Sequence, residues 1–444
     1  MGKPTGFLDY TRVNCPSRDA AARTGDYAPV ELPLSERNRR RQSGRCMDCG
    51  VPFCQAGVSF EGILLGCPLH NLIPEWNDLL WNGNYEGALQ RLLKTSPFPE
   101  FTGRVCPALC ERACICGQVS EPVTIRENEL SIIEYGFEND LMQPMPSAAR
   151  SDKKIAVIGS GPAGLSAAYY LNRRGHHVTV FEKDPLPGGL LTYGIPEMKL
   201  PKQIVARRVS LMEREGVSFR TSCRVGQQIS PEELAAQFDL VIFCCGAQQP
   251  RPLPFAETAG VFYALDYLRA SAQSLLEKTG PAVTASGKQV VLVGAGDSAS
   301  DCISVAQRQG CRSITQLIRK PRTEQTEKRD HAHEEAEAVF GADIRRYETQ
   351  IERLVCGDDG SVNAVILQGS GEQLPCDLLL LASGFSGCEP ASVDAYEAVR
   401  KTGVPALTAG DMASGVSLVV LAIASGKQAA AQADASLMGY TNIL

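Results

Sequence analysis

The sequence predicts an α/β protein in which a small, mostly helical head precedes two dinucleotide-binding units built on parallel sheets. Three observations carry this expectation. Nine of the seventeen cysteines fall within the first 116 residues. Two short apolar runs, Ile155-Ala156-Val157-Ile158 and Val290-Val291-Leu292-Val293, each enter a glycine turn, as a strand buried on both faces of a parallel sheet does. A polar linker at residues 145–154 separates the head from the first of these runs.

Composition bounds the function. A chain of 444 residues with 44% hydrophobic side chains has room for two or three cores. Lys and Arg total 44 against 50 Asp and Glu, a formal charge of −6, so the charge balance favours neither nucleic acid nor an anionic membrane. Small molecules and proteins are the expected ligands. No charged-then-apolar leader opens the sequence, and the longest apolar run, residues 418–424, is too short to span ~30 Å of hydrocarbon. The expected location is the cytoplasm, where this many cysteines serve metal or redox chemistry rather than a disulfide framework.

In the head, residues 72–81 and 85–94 carry helical periodicity, and strand alternation is lacking. Cys46, Cys49 and Cys54 form C-x-x-C-x-x-x-x-C, followed by Cys67, Cys106, Cys110, Cys114 and Cys116, with Cys67 and Cys106 each before proline. This spacing is similar to that of thiolates holding iron–sulfur clusters. Zinc would call for two separated C-x-x-C pairs or a histidine pair. The basic run Arg37 to Arg41, and His331 with His333 in a charged helical stretch, read as solvated faces.

The first glycine turn is Gly159-Ser160-Gly161-Pro162-Ala163-Gly164, followed directly by an apolar helix. In G-x-G-x-x-G the first glycine makes the tight turn, the second lets a pyrophosphate approach the backbone, and the third packs helix against strand. Glu182 follows the next strand, 177–181, where an acid binds ribose hydroxyls. The second turn, Gly294-Ala295-Gly296-Asp297-Ser298-Ala299, has the permitted alanine at its third position. Where an acid would stand after strand 313–318 come Arg319, Lys320, Pro321 and Arg322. They suit a 2′-phosphate, hence NADP; the alternative is a solvated basic loop. Two such units in tandem divide the work, one holding a flavin and the other a nicotinamide. Hydride then passes between the rings, and no catalytic acid, base or nucleophile is expected.

The chain resembles the small-subunit family of glutamate synthase along essentially its whole length. Arg45-Cys46-Met47-Asp48-Cys49-Gly50, Gly66-Cys67-Pro68-Leu69, Asn71-Leu72-Ile73-Pro74-Glu75-Trp76-Asn77-Asp78 and, most specifically, Phe98-Pro99-Glu100-Phe101-Thr102-Gly103-Arg104-Val105-Cys106-Pro107-Ala108 carry the likeness. The resemblance implies a helical domain at 1–150 with two [4Fe-4S] clusters. A glutathione-reductase-like pair would follow, with FAD bound by 151–255 and 387–444 and NADPH by an inserted 256–386. It implies that Cys46, Cys49, Cys54 and Cys114 hold one cluster and that Cys67, Cys106 and Cys110 hold the other, whose fourth ligand is Glu129, with Cys116 as rival. For the dinucleotides it adds Lys183, Gly189, Leu190, Lys199, Gly246, Gly410, Asp411, Ser417 and Leu418; Val416 departs from an expected glutamine, and the interval from Cys54 to Cys67 is longer than in many members.

The implied function is electron input. NADPH would reduce FAD, and the clusters would carry electrons to a large subunit that makes glutamate from glutamine and 2-oxoglutarate, within a hetero-oligomer. The alternative is the small subunit of a related NAD(P)H:ferredoxin-type oxidoreductase with another partner.

Overall fold

The computed structural model describes residues 2–323 and 330–443. Its head is built on four helices, Ile73–Trp81, Tyr85–Leu93, Pro99–Val105 and Ile125–Glu138. Local chemistry sets their starts. Asn84 caps the second by accepting from the Gly87 N–H at 2.9 Å, and Pro74 and Pro99 stand in first turns, where no amide donor is needed. Trp76, Leu80, Leu92, Phe98, Phe101, Ile132 and Ile133 fill the space between them, each fully buried.

The head is not free of strands. Val58–Phe60 pairs antiparallel with Ile63–Leu65, and Glu61 and Gly62 between them both lie in the left-handed region, φ 48° and 79°, which closes a two-residue turn. Three-residue strands are too short to register as alternation. The hairpin is a pinched-off excursion, because the Cys67 N–H donates to the Cys54 carbonyl at 2.8 Å across its base.

Two five-stranded parallel sheets follow. The first has the order Ala406–Thr408, Leu240–Phe243, Lys154–Ile158, His177–Phe181, Ser218–Arg220. The second has the order Arg345–Tyr347, Ser313–Ile318, Gln289–Val293, Leu378–Leu381, Val261–Tyr263. The interior strands Leu240–Phe243 and Leu378–Leu381 are buried at every residue, as sheets covered on both faces require. The outgoing and returning passes of the chain pair with each other at Gln249–Pro250 and Phe385–Gly387. A three-stranded antiparallel meander, Ile351–Cys356, Val362–Leu367 and Gln373–Pro375, extends the second unit.

The apolar run at 418–424 opens the helix Val419–Met438. It lies against Pro162–Arg174 so closely that a Cβ on Gly426 would stand 2.1 Å from the Ala163 carbonyl oxygen. Among the described residues no helix is long and apolar enough to cross a membrane.

The head docks on the first sheet through one continuous apolar core, and a charged pair sits inside it. Arg208, on helix Lys202–Glu215, donates from Nη2 to Glu100 Oε2 at 3.0 Å and from Nε to the other carboxylate oxygen. Both side chains are buried, and the guanidinium lies 5.5 Å from the Phe98 ring centroid and 5.6 Å from that of Phe137. A second tie runs from the N-terminus to the second sheet. Arg23, also buried, donates from Nε to Glu335 Oε1 at 2.7 Å, and Arg308 Nη2 donates to the same oxygen at 3.0 Å. Tyr27 and Val30 join the apolar core beside that cluster.

Removing one partner of a buried pair leaves the other charge uncompensated. Glu100→Ala is therefore expected to lower stability by about 3–5 kcal/mol. Glu100→Leu combined with Arg208→Met should recover most of the loss, as measured by urea unfolding.

Candidate functional site

The first glycine turn divides its work in space. Gly159, at φ 97°, occupies a conformation that residues with a side chain rarely adopt. Gly161 begins the helix Pro162–Arg174, and a Cβ there would meet nothing within 4 Å, so this backbone is open to a ligand. Gly164 is the opposite case, for a Cβ there would stand 1.9 Å from the Gly159 carbonyl oxygen. The helix N-terminus behind the open backbone offers amide donors and a favourable dipole to a pyrophosphate.

Around this turn opens a cavity of about 1530 Å³, larger than the ~300–1,000 Å³ of pockets that hold one small ligand. Gly159, Gly161, Pro162 and Ala163 wall it, as do Glu182, Lys183, Gly189, Leu190, Lys199 and Gly246. From the C-terminal segment come Gly410, Asp411, Ser417 and Leu418. Glu182 is buried, and its Oε2 accepts from the Ser160 N–H at 3.0 Å and from the Ser160 hydroxyl. Its second oxygen accepts from the Asp184 N–H at 2.9 Å, so the acid braces the turn as well as facing the cavity. The Lys183 ammonium is held by Glu389 at 2.8 Å. Burial pushes the Asp411 carboxyl above the usual aspartate range, although Ser417 Oγ donates to it at 2.6 Å. Val416 is exposed.

From the second turn, Asp297 and Ser298 reach the same cavity. Gly294 closes that turn against Ala382, and a Cβ on Gly296 would meet nothing within 4 Å, while Ala299 is buried. Arg319, Lys320 and Arg322 stand exposed at the end of strand Ser313–Ile318, beyond the cavity walls. Sequence reasoning missed what joins the two units here. Lys199 bonds Asp301, one helical turn after Asp297. Burial pulls the lysine's pKa down, but the charge and hydrogen bond of Asp301 more than reverse this and leave it raised. The i, i+4 pair of acids behind the glycine turn was the available signal.

The cysteines fall into two groups. Cys46, Cys49, Cys54 and Cys114 face one small cavity, which Cys116 also lines. Cys67, Cys106 and Cys110 gather about Glu129, each under the electrostatic influence of its carboxylate. Burial pushes the Cys46 and Cys67 thiols up to about 12 and Cys106 to about 11. Backbone N–H groups oppose the rise, from Asp48 at Cys46 and from Ala108 and Leu109 at Cys106; Asp48 and Ala108 take left-handed conformations, φ 49° and 56°. Such amides stabilise anionic sulfur, and backbone strain of this kind gathers at functional loops.

Glu129 is buried, with its pKa pushed up to about 7 by desolvation against the hydrogen bonds of the Thr102 and Ser96 hydroxyls. Cys116 stands instead beside Arg45, whose Nη2 is 3.9 Å from its sulfur, and it feels Cys114 and Cys49. The structure thus puts the two rivals for one position next to different groups. Among the described residues no three His, Cys, Asp or Glu side chains converge closely enough for a single ion. A four-iron cluster takes each donor on a different iron, and two groups of soft thiolates, one with a buried carboxylate, fit that chemistry.

Two expectations of solvated surface need correction. His333 is largely buried, bonded to Asp330 at 2.7 Å and Gln316 at 2.9 Å, whereas His331 keeps 39% of its side chain exposed beside Glu334 at 3.2 Å. In the basic run, Arg39 is buried with Nη1 on the Glu127 carbonyl, and Arg40 Nε donates to the Trp81 carbonyl. Gln316, Glu127 and Trp81 reach His333, Arg39 and Arg40 from distant segments, whereas Asp330 and Glu334 stand only three residues from the histidines.

Comparison with known proteins adds the following. Residues 153–426 match the pyridine nucleotide-disulphide oxidoreductase family, and residues 23–141 match dihydropyrimidine dehydrogenase domain II, 4Fe-4S cluster. The glutamate synthase [NADPH] small chain of Bacillus subtilis is 41% identical, with 99% of each chain covered. The glutamate synthase [NADH] of Schizosaccharomyces pombe is 36% identical over 99% of this chain but only 23% of its own length. Among solved structures, 2-naphthoyl-CoA reductase shares the fold at 18% identity, TM-score 0.50, over 80% of this chain and 52% of that one.

The glycine geometry gives a paired expectation. Gly161→Ala should leave stability within about 0.5 kcal/mol while weakening dinucleotide retention by about tenfold or more. Gly164→Ala should destabilise the fold itself by about 1–3 kcal/mol through overpacking. Thermal melts and the dinucleotide content of the purified variants measure both.

Proposed function

Because the chain belongs to the glutamate synthase small-chain family, an oxidoreductase family, we propose that it is the electron-input subunit of an NADPH-dependent glutamate synthase. The reading gives FAD to the site formed by 151–255 and 387–444, and NADPH to 256–386 with Arg319, Lys320 and Arg322 at the 2′-phosphate. It gives two [4Fe-4S] clusters to the head, one on Cys46, Cys49, Cys54 and Cys114, the other on Cys67, Cys106, Cys110 and Glu129. The partner is the large glutamate synthase subunit, in a cytoplasmic hetero-oligomer.

One observation carries the electron path. The cavity walled by the first glycine turn and Asp411 is walled at another side by Val105, Cys106 and Pro107 of the head. A donor of the second group therefore stands on the wall of the dinucleotide cavity. When bound, the flavin supplies the change from hydride to single electrons, and the clusters supply one-electron carriage.

The chain's own residues bind and orient. Lys202 Nζ donates to the Leu191 carbonyl at 3.0 Å and also to that of Ile195, which fixes the Leu190–Tyr193 segment against the cavity. Leu418 and Val419 bring the start of a 20-residue helix to the same space, where its positive end favours negative charge on a reduced ring. Lys199 and Asp301 join the two units where the rings must meet.

Anaerobic titration with NADPH should bleach the flavin and then raise a cluster EPR signal, with NADH less effective. Bleaching with no cluster signal would overturn the electron path. Cys106→Ser should keep the bleaching and lose cluster reduction. Added large chain should yield glutamate from glutamine and 2-oxoglutarate; activity with ferredoxin alone would point to another partner.

A further inference from the structure

We propose that the apolar face of the hairpin Val58–Phe60 and Ile63–Leu65, together with Val51 and Phe53, is the surface on which the large glutamate synthase chain docks to take electrons. This rests on the function proposed above and names the face that serves it.

Five of the seventeen exposed large apolar side chains among the described residues fall between Val51 and Ile63. Register places three of them, Val58, Phe60 and Ile63, on one face of the hairpin together with Leu65. Phe60 pairs with Ile63 and Val58 with Leu65, and side chains two apart or directly paired point the same way. Phe60 is 65% and Ile63 63% exposed. A lone two-stranded hairpin is marginally stable in water, and contiguous exposed apolar surface of this kind marks an interaction site.

Position says what covers it. Cys106 of the second group stands on the dinucleotide cavity, whereas the first group has its own cavity, walled by Phe53 and Cys54. An electron that enters at Cys106 leaves from the first group, and each one leaving reduces a one-electron acceptor on the partner by one equivalent. That acceptor must come close to Cys46, Cys49, Cys54 and Cys114, and Phe53 of the exposed patch walls their cavity. Between Cys49 and Cys67 the only charged residue is Glu61, which matches the charge-depleted centre of a protein interface rather than a rim. The relative from Schizosaccharomyces pombe matches this chain over only 23% of its own length. A counterpart of this chain there shares one polypeptide with the rest of a glutamate synthase.

The test uses the full chain with its clusters and the large chain of glutamate synthase. Phe60→Ser with Ile63→Ser should weaken binding of the large chain by about tenfold or more, the scale of losing an apolar anchor. NADPH-driven reduction of ferricyanide should be unchanged, which also reports an intact fold. Val339→Ser with Val393→Ser, exposed apolar residues elsewhere, should leave binding unchanged. In the unaltered protein, amide hydrogen exchange across 51–65 should slow when the large chain is added. Unchanged binding by the hairpin variant, equal loss in the control pair, or no protection across 51–65 in a complex that forms would overturn the docking face. A wild-type chain that binds no large chain at all would instead overturn the function on which it rests.

Discussion

A carboxylate and a guanidinium buried between the head and the first sheet hold the molecule in working order. Glu100 and Arg208 meet through two hydrogen bonds in an apolar core that includes Phe98, Phe101 and Tyr169. Such a pair adds little stability over an apolar one, but either charge left without the other in that core would be costly. The helix that carries Glu100 ends at Val105, and Cys106 follows it directly. The pair therefore helps set where Cys106 stands relative to the dinucleotide cavity.

The two sheets meet across a different kind of contact. Lys199 and Asp301 approach from opposite units at the rim of a shared, open cavity. Arg269 likewise reaches Asp184 and lies 4.8 Å from the Tyr193 ring centroid. The Lys199 pair lies on the cavity wall with the lysine 39% exposed, whereas the Glu100 pair is sealed in apolar packing. The molecule thus combines an apolar-sealed joint between the head and the first sheet with polar contacts between the two sheets.

What could be read in the sequence was what is local. The glycine turns were legible because each glycine answers a steric demand set within a few residues, as Gly159, Gly161 and Gly164 do. The two sheets were legible because strands buried on both faces are continuous apolar runs. The hairpin escaped because three-residue strands leave no period. Arg23 and Glu335 escaped because their partnership spans 312 residues, and so did the burial of Arg39 and His333. Residue chemistry favours Cys116 as the fourth donor and only the resemblance favours Glu129; the fold turns Glu129 toward Cys67 and Cys116 toward Arg45.

The bond that closes the base of the hairpin has a wider consequence. With the Cys67 amide fastened to the Cys54 carbonyl, the residues between them form a module that can lengthen, shorten or change its side chains while the thiols on either side keep their places. With the docking face and electron path proposed above, choice of acceptor and wiring of that path would be separable traits. A lineage could exchange one redox partner for another by rewriting a single short excursion, with the flavin and iron–sulfur chemistry inherited intact.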